Sequence, residues 1–123
     1  MANGNDPYSE IAMLVHRYAD AVVHRNGQQW SSTWAEDAVW DLGGGRLVEG
    51  LDKIKELWYG AMQGFEATIQ TVLNGAVEID PSGGTASGRW YIQEQVVRVN
   101  GDRGILLAHY DDMYALTDEG WKF

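Results

Sequence analysis

The stretch Thr85–Thr117, TASGRWYIQEQVVRVNGDRGILLAHYDDMYALT, decides the fold. It reads as two long strands, Thr85–Val99 and Ile105–Thr117, joined at Asn100-Gly101, a dipeptide suited to a tight hairpin turn. In the second strand Tyr110, Asp112 and Tyr114 occupy alternate positions and share one face, while His109, Asp111 and Met113 point the other way. An acid between two phenols on an otherwise apolar strand has two readings. In a pocket, desolvation raises its pKa and lets it relay a proton near neutral pH. On a solvated strand, the same acid simply faces water.

Upstream, Thr68–Ile79 alternates like a strand, with Asn74-Gly75 as an expected bulge or kink. Asp80-Pro81-Ser82-Gly83-Gly84 is a turn cluster. Downstream, Asp118-Glu119-Gly120 turns the chain into Trp121-Lys122-Phe123. The first half of the sequence has helical periodicity instead. Asp6-Pro7 looks like an N-cap with a first-turn proline. Ile11, Leu14, Val15, Tyr18 and Val22 form one apolar stripe, with Arg17, Asp20 and His24 opposite. Asn26-Gly27 is expected to end that helix. A short second helix carries Trp30 and Trp34 and stops near Asp37. Ala38–Leu42 reads as a short strand, Gly43-Gly44-Gly45 as its turn, and Arg46–Val48 as the return. Ile54, Leu57, Trp58, Ala61 and Met62 mark a third helix, closed near Gly64.

Helices first and long antiparallel strands after them predict an α+β fold, with three helices from the N-terminal half packed on one face of the sheet. Strands this long curl, so a sheet closed by the helices is expected to leave a conical interior suited to a small molecule. The 123 residues fit one domain, residues 1–123, without linker or repeat.

Composition narrows the function. Hydrophobic residues make up 45% of the chain, enough for a packed core. Six Trp and six Tyr suit either a pocket wall or a core with an oligomer interface. A net charge of −9 argues against nucleic acid and anionic membrane surfaces as partners. No cysteine is present, which removes disulfides and thiolate chemistry. The N-terminus lacks a signal-peptide pattern and no apolar run reaches spanning length, so a cytoplasmic protein is expected. His16, His24 and His109 lack zinc-ligand spacing. Gly43-Gly44-Gly45-Arg46 lacks the Lys-Ser/Thr of a phosphate loop. Ser31, Ser32, Ser82 and Ser87 sit in no nucleophile elbow. No metal and no cofactor is expected.

What remains is acid–base and hydrogen-bond chemistry from Asp112 with Tyr18 and Tyr110, and Glu94 as a further candidate. Tyr18 lies on the buried stripe, where its hydroxyl needs a partner; that partner is either a ligand or a backbone carbonyl. Periodicity does not decide whether Trp90, Ile92, Glu94 and Val96 or Tyr91, Gln93, Gln95 and Val97 face inward. Trp40 shares a face with Ala38 and Leu42, leaving Asp41 as a surface charge.

The segments Arg17-Tyr18-Ala19-Asp20-Ala21, Trp30, Trp34-Ala35-Glu36-Asp37-Ala38-Val39-Trp40, Glu49-Gly50, Tyr110-Asp111-Asp112-Met113-Tyr114 and Gly120-Trp121-Lys122-Phe123 resemble, in order and spacing, the SnoaL-like branch of the nuclear-transport-factor-2-like superfamily. The resemblance covers nearly the whole chain. Members generally continue past the final Trp-Lys-Phe, so a C-terminally shortened or partly ordered version is expected here. The resemblance implies a cone-shaped barrel with an apolar pocket, a homodimer or homotrimer, and a small apolar ligand. It also implies dehydratase, isomerase or cyclase chemistry, or ligand binding without chemistry. Tyr18 and Asp112 fall where the steroid isomerases of this superfamily place their oxyanion-binding tyrosine and neutral aspartic acid, a pairing that would polarise a ligand oxygen. The positions of the family's usual bases fall at Val23, Leu42 and Thr71, and a helix register shifted by a few residues reaches Asn26; none of these is a base. Tyr18 and Asp112 are thus the candidate catalytic residues. Trp40, Leu42, Trp58, Thr71, Glu94, Tyr110 and Tyr114 are the candidate ligand-binding residues.

Overall fold

The structure is a computed structural model in which residues 6–123 are described; the first five residues of the expected domain, and the N-terminal part of the signal-peptide reading, lie outside them. Helix α1 (Pro7–His24) opens as the sequence predicts. Asp6 caps it by accepting from the Ser9 amide at 2.7 Å, with proline in the first turn. Its end differs from expectation. Arg25, not Asn26-Gly27, takes the left-handed conformation, at φ 55°. Asn26 is instead the N-cap of α2 (Gly27–Ser32), its side chain accepting from Gln29 N at 3.0 Å. Arg25 also donates to the Phe65 carbonyl, a tether across the fold that accompanies its strained backbone. Gly27 has no room for a side chain, because a Cβ there would run into the Tyr59 ring.

Helix α2 is shorter than its sequence suggests. The Thr33 hydroxyl donates to the Trp30 carbonyl at 2.6 Å, competing for the bond that would extend the helix. Trp34 therefore follows the helix rather than lying within it. Next come the hairpin strands β1 (Val39–Asp41) and β2 (Leu47–Glu49), then α3 (Leu51–Met62). The long strands β3 (Phe65–Ile79), β4 (Thr85–Arg98) and β5 (Arg103–Thr117) follow, with the short β6 (Gly120–Lys122) at the end.

All pairings are antiparallel, and the main sheet runs β3-β4-β5-β6. The expected α+β class is observed: the sheet curls into a half-barrel and the N-terminal helices close it. Helix α1 lies across β3 and β6. The bulge expected at Asn74-Gly75 is present, as a register shift between Val72 and Gly75. Gly75 is needed there, because a Cβ at that position would collide with the Trp90 ring. The inner face is the one left open by periodicity in β4: Trp90 and Ile92 are buried and Glu94 half-buried, while Tyr91 is exposed.

Two apolar clusters hold the layers together. One joins Tyr18, Val22, Trp30, Trp34, Ile54 and Trp58 between the helices. The other joins Ile11, Leu14, Val15, Trp90, Tyr114 and Trp121 beneath the sheet. Phe123 packs against both. Its backbone is clamped by Phe123 N to Thr33 O at 2.9 Å and Ala35 N to Phe123 O at 2.7 Å. Among the described residues, no helix is long and apolar enough to cross a membrane.

Candidate functional site

A half-open cleft of about 820 Å³ lies between the two clusters. Tyr18 from α1 and Asp112 from β5 both line it. Trp40 and Leu42 reach it from the β1 hairpin, and Tyr110 and Tyr114 flank Asp112 on β5. Six of the nine sequence-derived candidates therefore meet at one cavity.

The other three lie elsewhere. Trp58 is in the core, stacked on Trp30 with ring centroids 4.5 Å apart and planes 11° from parallel. Thr71 is exposed on the outer face of β3, because the inward positions of that strand are Thr68 and Gln70. Glu94 is half-buried and accepts from Gln70 Nε2 at 2.9 Å. Of the positions matched to the family's bases, Leu42 lines the cleft, Thr71 faces outward, and Val23 is absent from the lining.

Two hydrogen-bonded chains support the cleft wall. In the first, Trp90 Nε1 donates to the Tyr114 hydroxyl at 3.0 Å, and that hydroxyl donates to Asp112 Oδ2 at 3.0 Å. An indole N–H has no lone pair to offer, so the Tyr114 oxygen must accept there. Its proton is then committed to Asp112. Strand register makes room for this chain: Asp112 is paired with Gly88 on β4, and a Cβ at Gly88 would sit 2.8 Å from the Tyr114 hydroxyl. In the second chain, the Gln70 amide donates to both Glu94 and the Tyr110 hydroxyl, the latter at 3.0 Å. Gln70, buried beside Tyr110, was not among the candidates; its place at a same-face position of an alternating strand was the available signal.

Burial sets the proton affinities. Desolvation raises Asp112 to about 6, against the lowering effect of the Tyr114 bond and with a further push from the charge of Asp111. Desolvation likewise raises Tyr18 well above a normal phenol, with the neighbouring Tyr110 adding to it and the Trp30 indole opposing. Tyr110 is raised to about 12 by burial and by Glu94. Tyr114 is raised by burial and by its contact with Asp112. Both phenols of the Tyr18–Tyr110 edge-to-face pair, 5.8 Å between centroids, thus stay protonated at neutral pH.

Trp34 and Phe123 complete the aromatic wall. The Trp34 Nε1 is buried with no protein partner among the described residues, which leaves a donor beside the cleft. Neither residue was a ligand-facing candidate from sequence. The helical spacing of Trp30 and Trp34 hides the cleft-facing place of Trp34, and Phe123 gains its role only through the clamp on Thr33 and Ala35. Among the described residues no three His, Asp or Glu side chains gather as a metal-holding group. His109 pairs with Asp111 at 3.2 Å and His24 with Asp20 at 3.7 Å.

A curled antiparallel sheet closed by helices, with an aromatic cleft whose wall carries an acid and phenols, defines a half-barrel fold of the α+β class. The chain belongs to the SnoaL-like domain family, whose model matches residues 6–123. The fold is similar to that of a scytalone dehydratase candidate from Novosphingobium aromaticivorans, with 20% identity over 94% of this chain and 78% of that one and a TM-score of 0.86. It is also similar to an aromatic ring hydroxylase candidate from the same species, with 27% identity, 96% and 86% coverage and a TM-score of 0.86. A hexachlorocyclohexane dehydrochlorinase from Novosphingobium barchaimii matches at 21% identity, 94% and 80% coverage and a TM-score of 0.83. No curated protein matches the chain.

Proposed function

We propose that the cleft binds a small, largely apolar molecule bearing an oxygen, and that Tyr18 and Asp112 carry out acid–base chemistry of the lyase, isomerase or cyclase type on it. The observation that carries this reading is the convergence of Tyr18 and Asp112 on one cavity. The remaining wall is chiefly aromatic and aliphatic, which suits an apolar ligand body. The Tyr18 phenol is a donor for a ligand oxygen, and a donor aimed at developing negative charge is worth about 3 kcal/mol in a transition state. The names carried by two similar structures, a dehydratase candidate and a dehydrochlorinase, describe eliminations and fit the same chemical class.

The reading is tested with 2-naphthol, an uncharged aromatic alcohol, followed by tryptophan fluorescence. Binding is expected, and Tyr18→Phe is expected to weaken it roughly tenfold, the worth of about one hydrogen bond of 1–1.5 kcal/mol. Equal affinity in the variant and the parent contradicts the role given to Tyr18.

A second reading concerns assembly. The outer face of the sheet exposes Ile69, Leu73, Tyr91, Ile105, Leu107 and Met113, the last two at 72% and 73%. Side chains this large and this exposed on adjacent strands mark an interaction surface, and we assign it to a homodimer or homotrimer. Sedimentation is expected to give a dimeric or trimeric mass for the parent protein and a monomeric one for Leu107→Glu. A monomeric parent protein removes the assignment.

A further inference from the structure

The aromatic side chains of the cleft surround it from several directions. Tyr18, Trp34, Trp40, Tyr110, Tyr114 and Phe123 reach it from α1, the segment after α2, β1, β5 and the residue after β6. Their rings are inclined to one another rather than stacked. Tyr18 meets Tyr110 at 74° and Phe123 at 76°, and Trp34 meets Trp40 at 53°. Rings set this way enclose a space with π-systems on more than one side. The face of an aromatic ring is electron-rich and attracts a cation placed against it.

The charged groups have the same preference. Among the described residues that line the cleft, Asp37, Asp41, Asp111 and Asp112 are carboxylates, His109 is the one histidine, and none is Lys or Arg. Asp37 and Asp41 are exposed at the rim. Asp111 is exposed too, and is already met by Arg89 at 2.6 Å and His109 at 3.2 Å. Asp112 differs from all three. It is half-buried on the inner face of β5, accepts a bond from Tyr114, and enters no ion pair among the described residues. Across the ladder from it, β4 offers only Gly88. A carboxylate withdrawn from water is ordinarily paired with a cation. The neighbouring phenols register its field. Desolvation comes first at both, and negative charge adds to it: Glu94 and then Asp112 at Tyr110, and Asp112 at Tyr114.

We infer that the ligand of this cleft is an organic cation, a small apolar molecule with a positively charged nitrogen that sits among the aromatic rings with the Asp112 carboxylate as its counter-ion. This rests on the reading of the cleft as a small-molecule site and adds the charge class of the molecule; the oxygen assigned to Tyr18 belongs to the same ligand. A tertiary or quaternary ammonium suits the enclosure better than a primary one. Its alkyl groups are apolar, spread the charge over a wide surface and pack against rings. The cleft volume of about 820 Å³ gives room for such a molecule. The Tyr114 bond holds Asp112 in place without neutralising it, because the phenol keeps its proton. A carboxylate or phosphate ligand would instead meet Asp112 with no Lys or Arg on the wall to offset it.

Calorimetric titration at pH 7 with three probes of similar shape tests the inference. They are (3-hydroxyphenyl)trimethylammonium, its uncharged isostere 3-tert-butylphenol, and the anion 3-hydroxybenzenesulfonate. Salt at roughly 0.15 M screens the general charge of the chain. The cation is expected to bind about tenfold more tightly than the isostere, and the anion most weakly. Asp112→Asn is expected to bring the ratio of cation to isostere affinity close to one, and Trp40→Leu to lower it, with circular dichroism to establish folding. Equal or tighter binding of 3-tert-butylphenol by the parent protein overturns the charge class and leaves the small-molecule reading standing. A ratio unchanged in both folded variants overturns the placement of the cation in the cleft. Absence of binding by all three probes also overturns the inference; binding of 2-naphthol in that case preserves the small-molecule reading, and its absence removes both.

Discussion

Replacing Asp112 by Asn is expected to lower turnover of any responsive substrate by about 10²–10⁴-fold while making the protein more stable at pH 7. The two effects share one cause. Folding places the carboxyl where its charge is poorly solvated, so its midpoint rises from 3.8 to about 6. Between those values the native state holds a proton that the unfolded chain releases. The native state is therefore favoured at low pH and loses that advantage as pH rises through 6. Asparagine does not titrate. The melting temperature of Asp112→Asn is expected to exceed the parent's above pH 6, with the gap narrowing as pH falls towards 4. Calorimetric scans at pH 4, 5, 6 and 7 check this; a gap of constant size across the series contradicts the raised midpoint. Stability given up at a functional group is a recurrent trade in proteins.

Trp30→Ala is expected to have the largest effect on stability, about 3–5 kcal/mol, as for other large-to-small changes of buried aromatics. Trp30 is 0% exposed and lies at the centre of the helical cluster. Its ring is parallel-stacked on Trp58 and meets Tyr18, Trp34 and Trp40 at 5.5–5.6 Å. Against a typical total of about 5–15 kcal/mol, that loss brings a domain close to unfolding at ordinary temperature. Urea denaturation is the check. A loss below about 1 kcal/mol, set against the general range for core truncations, contradicts the central position given to Trp30. Because Trp34 and Trp40 also line the cleft, the same substitution is expected to loosen the cleft wall.

How much of this was legible in the sequence differs by element. The alternation of His109-Tyr110-Asp111-Asp112-Met113-Tyr114 placed each side chain on its observed face, because a strand's period of two admits only two outcomes. The Asn74-Gly75 irregularity was also legible, since glycine is the residue that tolerates the close approach of Trp90. In β4 both faces carry apolar and polar residues, and only packing under α1 chose Trp90 over Tyr91 as the inward side. Thr71 shows the sensitivity of such matches: a register one residue away exchanges an outward threonine for the inward Gln70. Helix ends were the least legible. Asn26 is equally suited to stop one helix and to start the next, and a tertiary tether from Arg25 to Phe65 accompanies the outcome. The Trp90–Tyr114–Asp112 chain joins β4 to β5 at a sequence separation that no local pattern reports, although its glycine partner Gly88 follows from the strand register.

The measurement that bears most directly on the central claim is a residue-resolved NMR titration with 2-naphthol. Signals from the Tyr18 ring and the Asp112 carboxyl are expected to shift together along a single binding curve, with Phe123 and Trp40 following and Thr71 unmoved. Shifts confined to Tyr91, Leu107 and Met113 on the outer sheet face, with Tyr18 and Asp112 silent, would place the ligand elsewhere and contradict the account.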